Sequence, residues 1–139
     1  REDKSSFYVH NSYRKNIGKI ISFLKYSSNS DDENILNFAK NLCMHIAALK
    51  PEALDENSLD KKTVDKELNI QKELILNSGK PASVIDKILE GKMKKFYSEV
   101  TLLNQSFVLN PEKSVGDIVK TDYKEANFEI KMFNFISLT

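Results

Sequence analysis

No stretch of this chain approaches the roughly 20 consecutive apolar residues that a membrane-crossing helix needs. Cysteine is nearly absent: Cys43 stands alone in 139 residues. That excludes an internal disulfide and suits a reducing, cytoplasmic compartment. Neither sign of charge dominates, with 21 Lys and Arg against 20 Asp and Glu. The strong basic face of a dedicated nucleic-acid or membrane-surface binder is therefore missing. The opening Arg-Glu-Asp-Lys-Ser-Ser is charged, carries no apolar signal segment and has no starting Met. The expectation is a fragment or processed piece of a longer protein. Catalytic motifs are missing as well. There is no Gly-rich phosphate loop, no metal-ligand spacing and no nucleophile elbow. Cys43 and His45 are close in sequence, but two residues apart on a helix they point to roughly opposite faces and cannot form a nucleophile–base pair or share a metal. Cys43 reads as a small core residue and His45 as a partly buried polar one. The residues give no reason to expect an enzyme, a metal or a cofactor.

What is present is a clear order of elements. A chain of this length buries roughly 70% of its unfolded surface, enough for one core. Phe7-Tyr8-Val9 within Ser5–His10 and Ile20-Ile21-Ser22-Phe23-Leu24 read as two strands of a hairpin around a polar loop, Asn11–Asn16. Ile35, Phe38, Leu42, Ile46 and Leu49 step by three or four and predict a helix over Asp32–Leu49, capped by Ser30 or Asp31 and ended by Pro51, which pushes Lys50 out of the α region. An irregular acidic stretch follows, with one turn at Glu52-Ala53-Leu54. Two further helices are predicted over Lys61–Asn77 and Pro81–Ser98, joined by Ser78-Gly79-Lys80-Pro81. Gly79 takes the left-handed closing position there, and Pro81 the first helical one. Val64, Leu68 and Ile75 mark one seam of the first of these helices; Ile70 and Leu74 mark a second. Gly91, in the middle of the other, suggests the close approach of another backbone. After an extended tail to Val108, Asn110-Pro111-Glu112-Lys113 reads as the start of a short helix that fades near Asp122. Phe128, Ile130 and Met132 alternate and then change phase at Phe133 and Phe135, which predicts a last strand bulged between Met132 and Phe133. Phe7, Tyr8, Phe23, Phe133 and Phe135 read as sheet core. The fold class is α+β: a three-stranded antiparallel sheet packed with helices, with an antiparallel helical hairpin projecting over about residues 61–98.

Several blocks carry a resemblance. Cys43-Met44-His45-Ile46-Ala47-Ala48-Leu49-Lys50-Pro51, Ser78-Gly79-Lys80-Pro81, Glu90-Gly91-Lys92-Met93-Lys94-Lys95-Phe96, and Leu103-Asn104-Gln105-Ser106-Phe107-Val108 followed by Lys113-Ser114-Val115-Gly116 occur in the order and spacing of the elongation factor Ts family. Tyr8-Val9-His10 and Ile17-Gly18 resemble the family's Tyr-x-His and Ile-Gly strand pair. The match is to the C-terminal, dimerising half of the family's core, with its inserted coiled-coil hairpin. The family's N-terminal module and first core subdomain, with its Thr-Asp-Phe motif, have no counterpart in these 139 residues.

The resemblance implies a translation elongation factor: the docking half of the guanine-nucleotide exchange factor that binds elongation factor Tu. It implies no direct nucleotide binding, no membrane partner, and self-pairing in some members. Carried over position by position, it places partner contacts at His10, Ile17 and Gly18. Ser106 stands where the family has Pro, Asn16 where it has Arg or Lys, and Lys19 where it has an apolar strand residue. Two other readings stand beside this one. A homodimerising structural domain would pair through an uncovered strand edge. An RNA-contacting module would use Lys92, Lys94 and Lys95, although a solvated helix face explains those lysines more simply.

Overall fold

The structure, a computed structural model, describes residues 3–10 and 19–138. These divide into two compact units: residues up to Lys50 together with those from Ser106 onward, and Pro51–Gln105.

The first unit is built on the strand β1 (Lys4–His10), the strand β2 (Lys19–Ser27) and the helix α1 (Glu33–Leu49). β1 and β2 pair antiparallel, with Phe7 opposite Phe23 and His10 opposite Ile20. The chain then enters α1 through Asp32, whose carboxylate accepts from the Asn34 N–H at 2.9 Å. The cap is thus one or two residues later than the sequence suggested, because the Ser30 hydroxyl is occupied in accepting from the Asp32 N–H at 3.0 Å. The apolar stripe of α1 is buried over Ile35, Phe38, Leu42 and Ile46, together with Ala39, Cys43 and Ala47, but its last predicted member, Leu49, is exposed in the final turn. Lys50 closes the helix in the left-handed region (φ 48°), donating its N–H to the Ile46 carbonyl. This is the departure from the right-handed α region that a following proline demands.

The rest of this unit is β3 (Ser106–Phe107), β4 (Asn110–Ser114), α4 (Val115–Thr121) and β5 (Glu129–Leu138). Here the expectation of a helix start at Asn110 fails. Residues 110–114 form a strand instead, with Asn110 paired to Phe107 and Ser114 to Ser106. Pro111 lacks a donor, and a two-stranded edge tolerates that as readily as a first helical turn does. The capping role passes to Ser114, whose hydroxyl accepts from the Asp117 N–H at 3.2 Å. The helix ends at Thr121, as expected.

β5 joins the open side of β2 and completes an antiparallel sheet in the order β1-β2-β5. Its irregularity lies one residue before the predicted one. Lys25 pairs with Met132 and Tyr26 with Ile130, so Lys131 is the extra residue. The bulge turns Ile130 inward, Met132 outward, and Phe133 and Phe135 inward opposite Leu24 and Ser22. Aromatic rings fill the core beneath. The ring of Phe38 lies 4.0 Å from that of Tyr123, stacked, and meets Phe128 at 5.0 Å and Phe107 at 5.9 Å edge-on. Tyr26 stacks on Phe128 at 4.9 Å.

The second unit contains α2 (Lys61–Asn77) and α3 (Ala82–Val100). α2 spans the predicted residues and is capped by Asp60, whose carboxylate accepts from the Lys62 N–H. Ser78 and Gly79 close it. Gly79 has φ +75°, as the turn requires, and Pro81 precedes α3 as its cap rather than opening it as the first helical residue. Ile75 and Met93 are buried, and Val64, Leu68, Ile85, Leu89 and Phe96 are half-buried. Of the two seams on α2, Val64–Leu68–Ile75 is the one that packs. Gln71 within it donates to the Glu67 carboxylate at 2.9 Å. Ile70 and Leu74 face solvent.

The segment before α2 is pinned to the end of α3. Glu52 donates to the Val100 carbonyl at 2.7 Å, and Leu102 and Leu103 donate to those of Ala53 and Leu54 at 2.8 and 3.0 Å. Those backbone groups are committed to pairing, so the expected turn at residues 52–54 forms instead at Glu56–Ser58. The tail after α3 likewise begins with a short 3-10 turn at Leu102–Asn104 before it extends.

The close backbone approach expected at Gly91 is not found. A Cβ placed there meets no atom within 4 Å, and the same holds at Gly79. The two glycines therefore separate backbone conformation from packing. Gly91→Ala is expected to stabilise the chain by about 0.5–1 kcal/mol. Gly79→Ala is expected to destabilise it by about 1 kcal/mol, because alanine resists positive φ. Paired urea titrations check both; the same sign for the two changes would refute this assignment.

Candidate docking face

One face of the three-stranded sheet is covered and the other is not. Tyr8, Ser22, Leu24, Tyr26, Phe133 and Phe135 share the inner face by register. That face is tied to α1 by two hydrogen bonds: the Ser22 hydroxyl donates to the Cys43 carbonyl at 2.5 Å, and the Cys43 thiol donates to the Ser6 carbonyl at 3.3 Å. The alternate positions point outward. Phe7–Phe23–Asn134, Val9–Ile21–Ile136 and Ser5–Lys25–Met132 form three cross-strand rows. Phe7 is 62% exposed, Val9 48%, Met132 51% and Ile136 55%, with the rings of Phe7 and Phe23 6.2 Å apart.

This corrects the reading of Phe7 and Phe23 as core. They belong to a contiguous apolar surface, of the kind that marks an interaction site on a globular protein. Every strand of the sheet contributes to it: β2 is apolar on both sides, and in β1 the apolar pair Phe7 and Val9 takes the open side while Lys4, Ser6 and Tyr8 take the covered one. Sequence patterning found the strands but could not tell the covered side from the open one. Sequence alternation put Met132 in phase with Phe128 and Ile130; the bulge at Lys131 turns it outward instead, and Ile136 with it, a residue the sequence reading did not single out.

Of the proposed contact residues, His10 ends β1 opposite Ile20, at the end of the sheet where the chain leaves toward residue 11. Ile17 and Gly18 lie outside the described residues. Lys19 opens β2 and is exposed.

Cys43 and His45 do diverge, as their spacing requires. The thiol reaches β1, while His45 Nδ1 accepts from the Val108 N–H at 3.1 Å and its ring lies 5.7 Å from that of Phe107. His45 is fully buried, more so than the sequence suggested. A groove of about 610 Å³ runs past Ser30, Asp32, Asn34 and Thr121–Ala126. Its Asp32 is engaged in capping α1. Among the described residues no group of His, Cys, Asp and Glu could hold a metal ion, and no helix is long and apolar enough to cross a membrane.

Burial pushes the Cys43 thiol up to about 11, with the Ser6 hydrogen bond acting weakly the other way. Burial also raises the Tyr26 and Tyr123 phenols. For each, the folded state holds its proton to higher pH than the unfolded state. Stability is therefore complete below the ordinary thiol range and falls as pH rises toward 11. Cys43 contributes at most roughly 2–3 kcal/mol to that fall. Denaturant titrations of the chain and of Cys43→Ala between pH 8 and pH 11 check this; the variant should lose stability less steeply.

Comparison with known proteins adds an independent line. A family model described as Elongation factor TS matches residues 1–139. Elongation factor Ts of Ehrlichia ruminantium (strain Welgevonden) is 39% identical over 128 residues, covering 92% of this chain and 44% of that protein. Elongation factor Ts of Roseobacter denitrificans is 48% identical over 113 residues, 81% of this chain and 37% of that protein. Elongation factor Ts of Rickettsia felis is 38% identical over 130 residues, 93% and 42%. The chain spans less than half the length of these curated relatives.

Proposed function

We propose a role from one premise: this chain belongs to the elongation factor Ts family. The role is that of the docking half of a guanine-nucleotide exchange factor, one that binds elongation factor Tu and by itself promotes GDP release weakly. We assign the chain to the second subdomain of the family's core, with α2 and α3 as its inserted hairpin. The opening β1–β2 hairpin is the contact element, through His10, Ile17 and Gly18. The observation that carries a docking role is the open apolar face formed by Phe7, Val9, Met132 and Ile136. No constellation of reacting groups competes with it among the described residues.

Exchange requires a factor to bind the nucleotide-free state of its partner more tightly than the nucleotide-bound state. A contact remote from the nucleotide adds affinity to both states alike, and so binds without driving release. The test is a titration of the chain into elongation factor Tu loaded with fluorescent GDP, with calorimetry for binding and fluorescence for release. Binding with release close to the spontaneous rate is the expected result, together with weakened binding by His10→Ala. Fast release would place exchange determinants in this half. The absence of binding at tens of micromolar would refute docking.

The same open face favours a second reading, self-association through the sheet. Light scattering across a concentration series separates the two. A mass that doubles with concentration, and returns to that of a monomer in Phe7→Glu, supports the pairing; a monomer at every concentration excludes it.

A further inference from the structure

The helical unit carries a second apolar surface, independent of the sheet. On α2, Leu74 is 59% exposed, and Ile70, one turn before it on the same side, is 42% exposed. Between the helices a small groove of about 200 Å³ is lined by Leu74, Ile75 and Ile88, with Gln71 and Ser78 along its wall and Lys80 and Lys92 at its ends. Both charged residues that line it are lysines. From the start of α3 to Lys92 the helix climbs roughly 15 Å, so Lys80 at the turn and Lys92 lie on either side of the aliphatic residues along the hairpin.

We propose that this groove docks an acidic amphipathic segment of a partner protein, an aliphatic side chain seated over Leu74, Ile75 and Ile88 and carboxylates meeting Lys80 and Lys92. Charge complementarity selects this occupant. An apolar floor between two cations rewards a ligand that brings aliphatic surface and negative charge together. It also separates a protein segment from RNA. A nucleic-acid groove needs a continuous basic track with aromatic platforms. Here the floor is aliphatic, and Lys94 lies about 200° around α3 from Lys92. Asp86 and Glu90 further break the run of positive charge along the helix.

The test uses the 139-residue chain with isotope-labelled methyl groups and backbone amides. The probe is a 16-residue helical peptide with leucines on one face and glutamates on its flanks. The controls are the same peptide with lysines for glutamates, and a 12-nucleotide polyuridylate. The expected result is saturable shifts of Leu74, Ile75 and Ile88 with the acidic peptide only. Lys80→Glu with Lys92→Glu is expected to weaken that peptide at least tenfold and to admit the basic one. Four outcomes would overturn the proposal: equal binding of both peptides, shifts confined to the open face of the sheet, no saturable shift at millimolar peptide, or polyuridylate shifting Lys92 where the acidic peptide does not.

Discussion

Phe38→Ala is expected to lower the unfolding free energy by about 3–5 kcal/mol, a large fraction of the roughly 5–15 kcal/mol that holds a typical domain folded. Phe38 is almost fully buried in α1, and its ring meets three others drawn from distant parts of the chain: Phe107 from β3, and Tyr123 and Phe128 from the segment leading into β5. Truncation removes the buried ring, leaves a cavity between side chains that cannot collapse onto one another, and abolishes one stacked and two edge-on contacts. Phe38→Leu keeps most of the volume and is expected to cost markedly less. Thermal and urea unfolding of both variants check this. A loss below 1 kcal/mol for the alanine variant would mean that the three rings close over the gap.

His45→Ala is expected to cost about 3 kcal/mol, by a different mechanism. His45 is fully buried, and its Nδ1 accepts the backbone N–H of Val108, 63 residues away. Alanine removes the ring from beside Phe107 and also takes the acceptor from the part-buried Val108 N–H. An unsatisfied buried N–H alone costs about 1–3 kcal/mol. His45→Asn presents an amide oxygen near the position of Nδ1 and is expected to recover part of the loss. His45→Leu fills the volume without an acceptor and is expected to recover less than its size alone suggests. A leucine variant clearly more stable than the asparagine variant would show that volume, and not the hydrogen bond, is what matters at this position.

His45 illustrates the limit of sequence reasoning here. Two-residue spacing correctly separated it from Cys43 and so disposed of a catalytic pair. Nothing local says that its partner is the N–H of Val108, since that bond exists only once β3 lies against α1. The start of α4 failed for a similar reason. Asn110-Pro111 satisfies every local rule for a helix start, but the pairing of Asn110 with Phe107 takes those residues into a strand. Helix-start preference and hairpin pairing competed, and pairing won. The family match, by contrast, was legible in full, because its blocks are local in sequence.

Helix α2 was determined by sequence alone, because a 3.6-residue apolar period and a closing glycine at positive φ are both local. The turn at Gly79, the burial of the α1 stripe and the assignment of three strands were determined in the same way. The tertiary structure alone decided which side of the sheet stays open. β2 carries apolar residues on both faces and β1 carries its apolar pair, Phe7 and Val9, on the open one, so strand alternation does not tell which face α1 covers. The bulge at Lys131 then sets Met132 and Ile136 outward beside Phe7 and Val9, and a one-residue change of register is worth nothing locally while it exchanges the two faces of a strand.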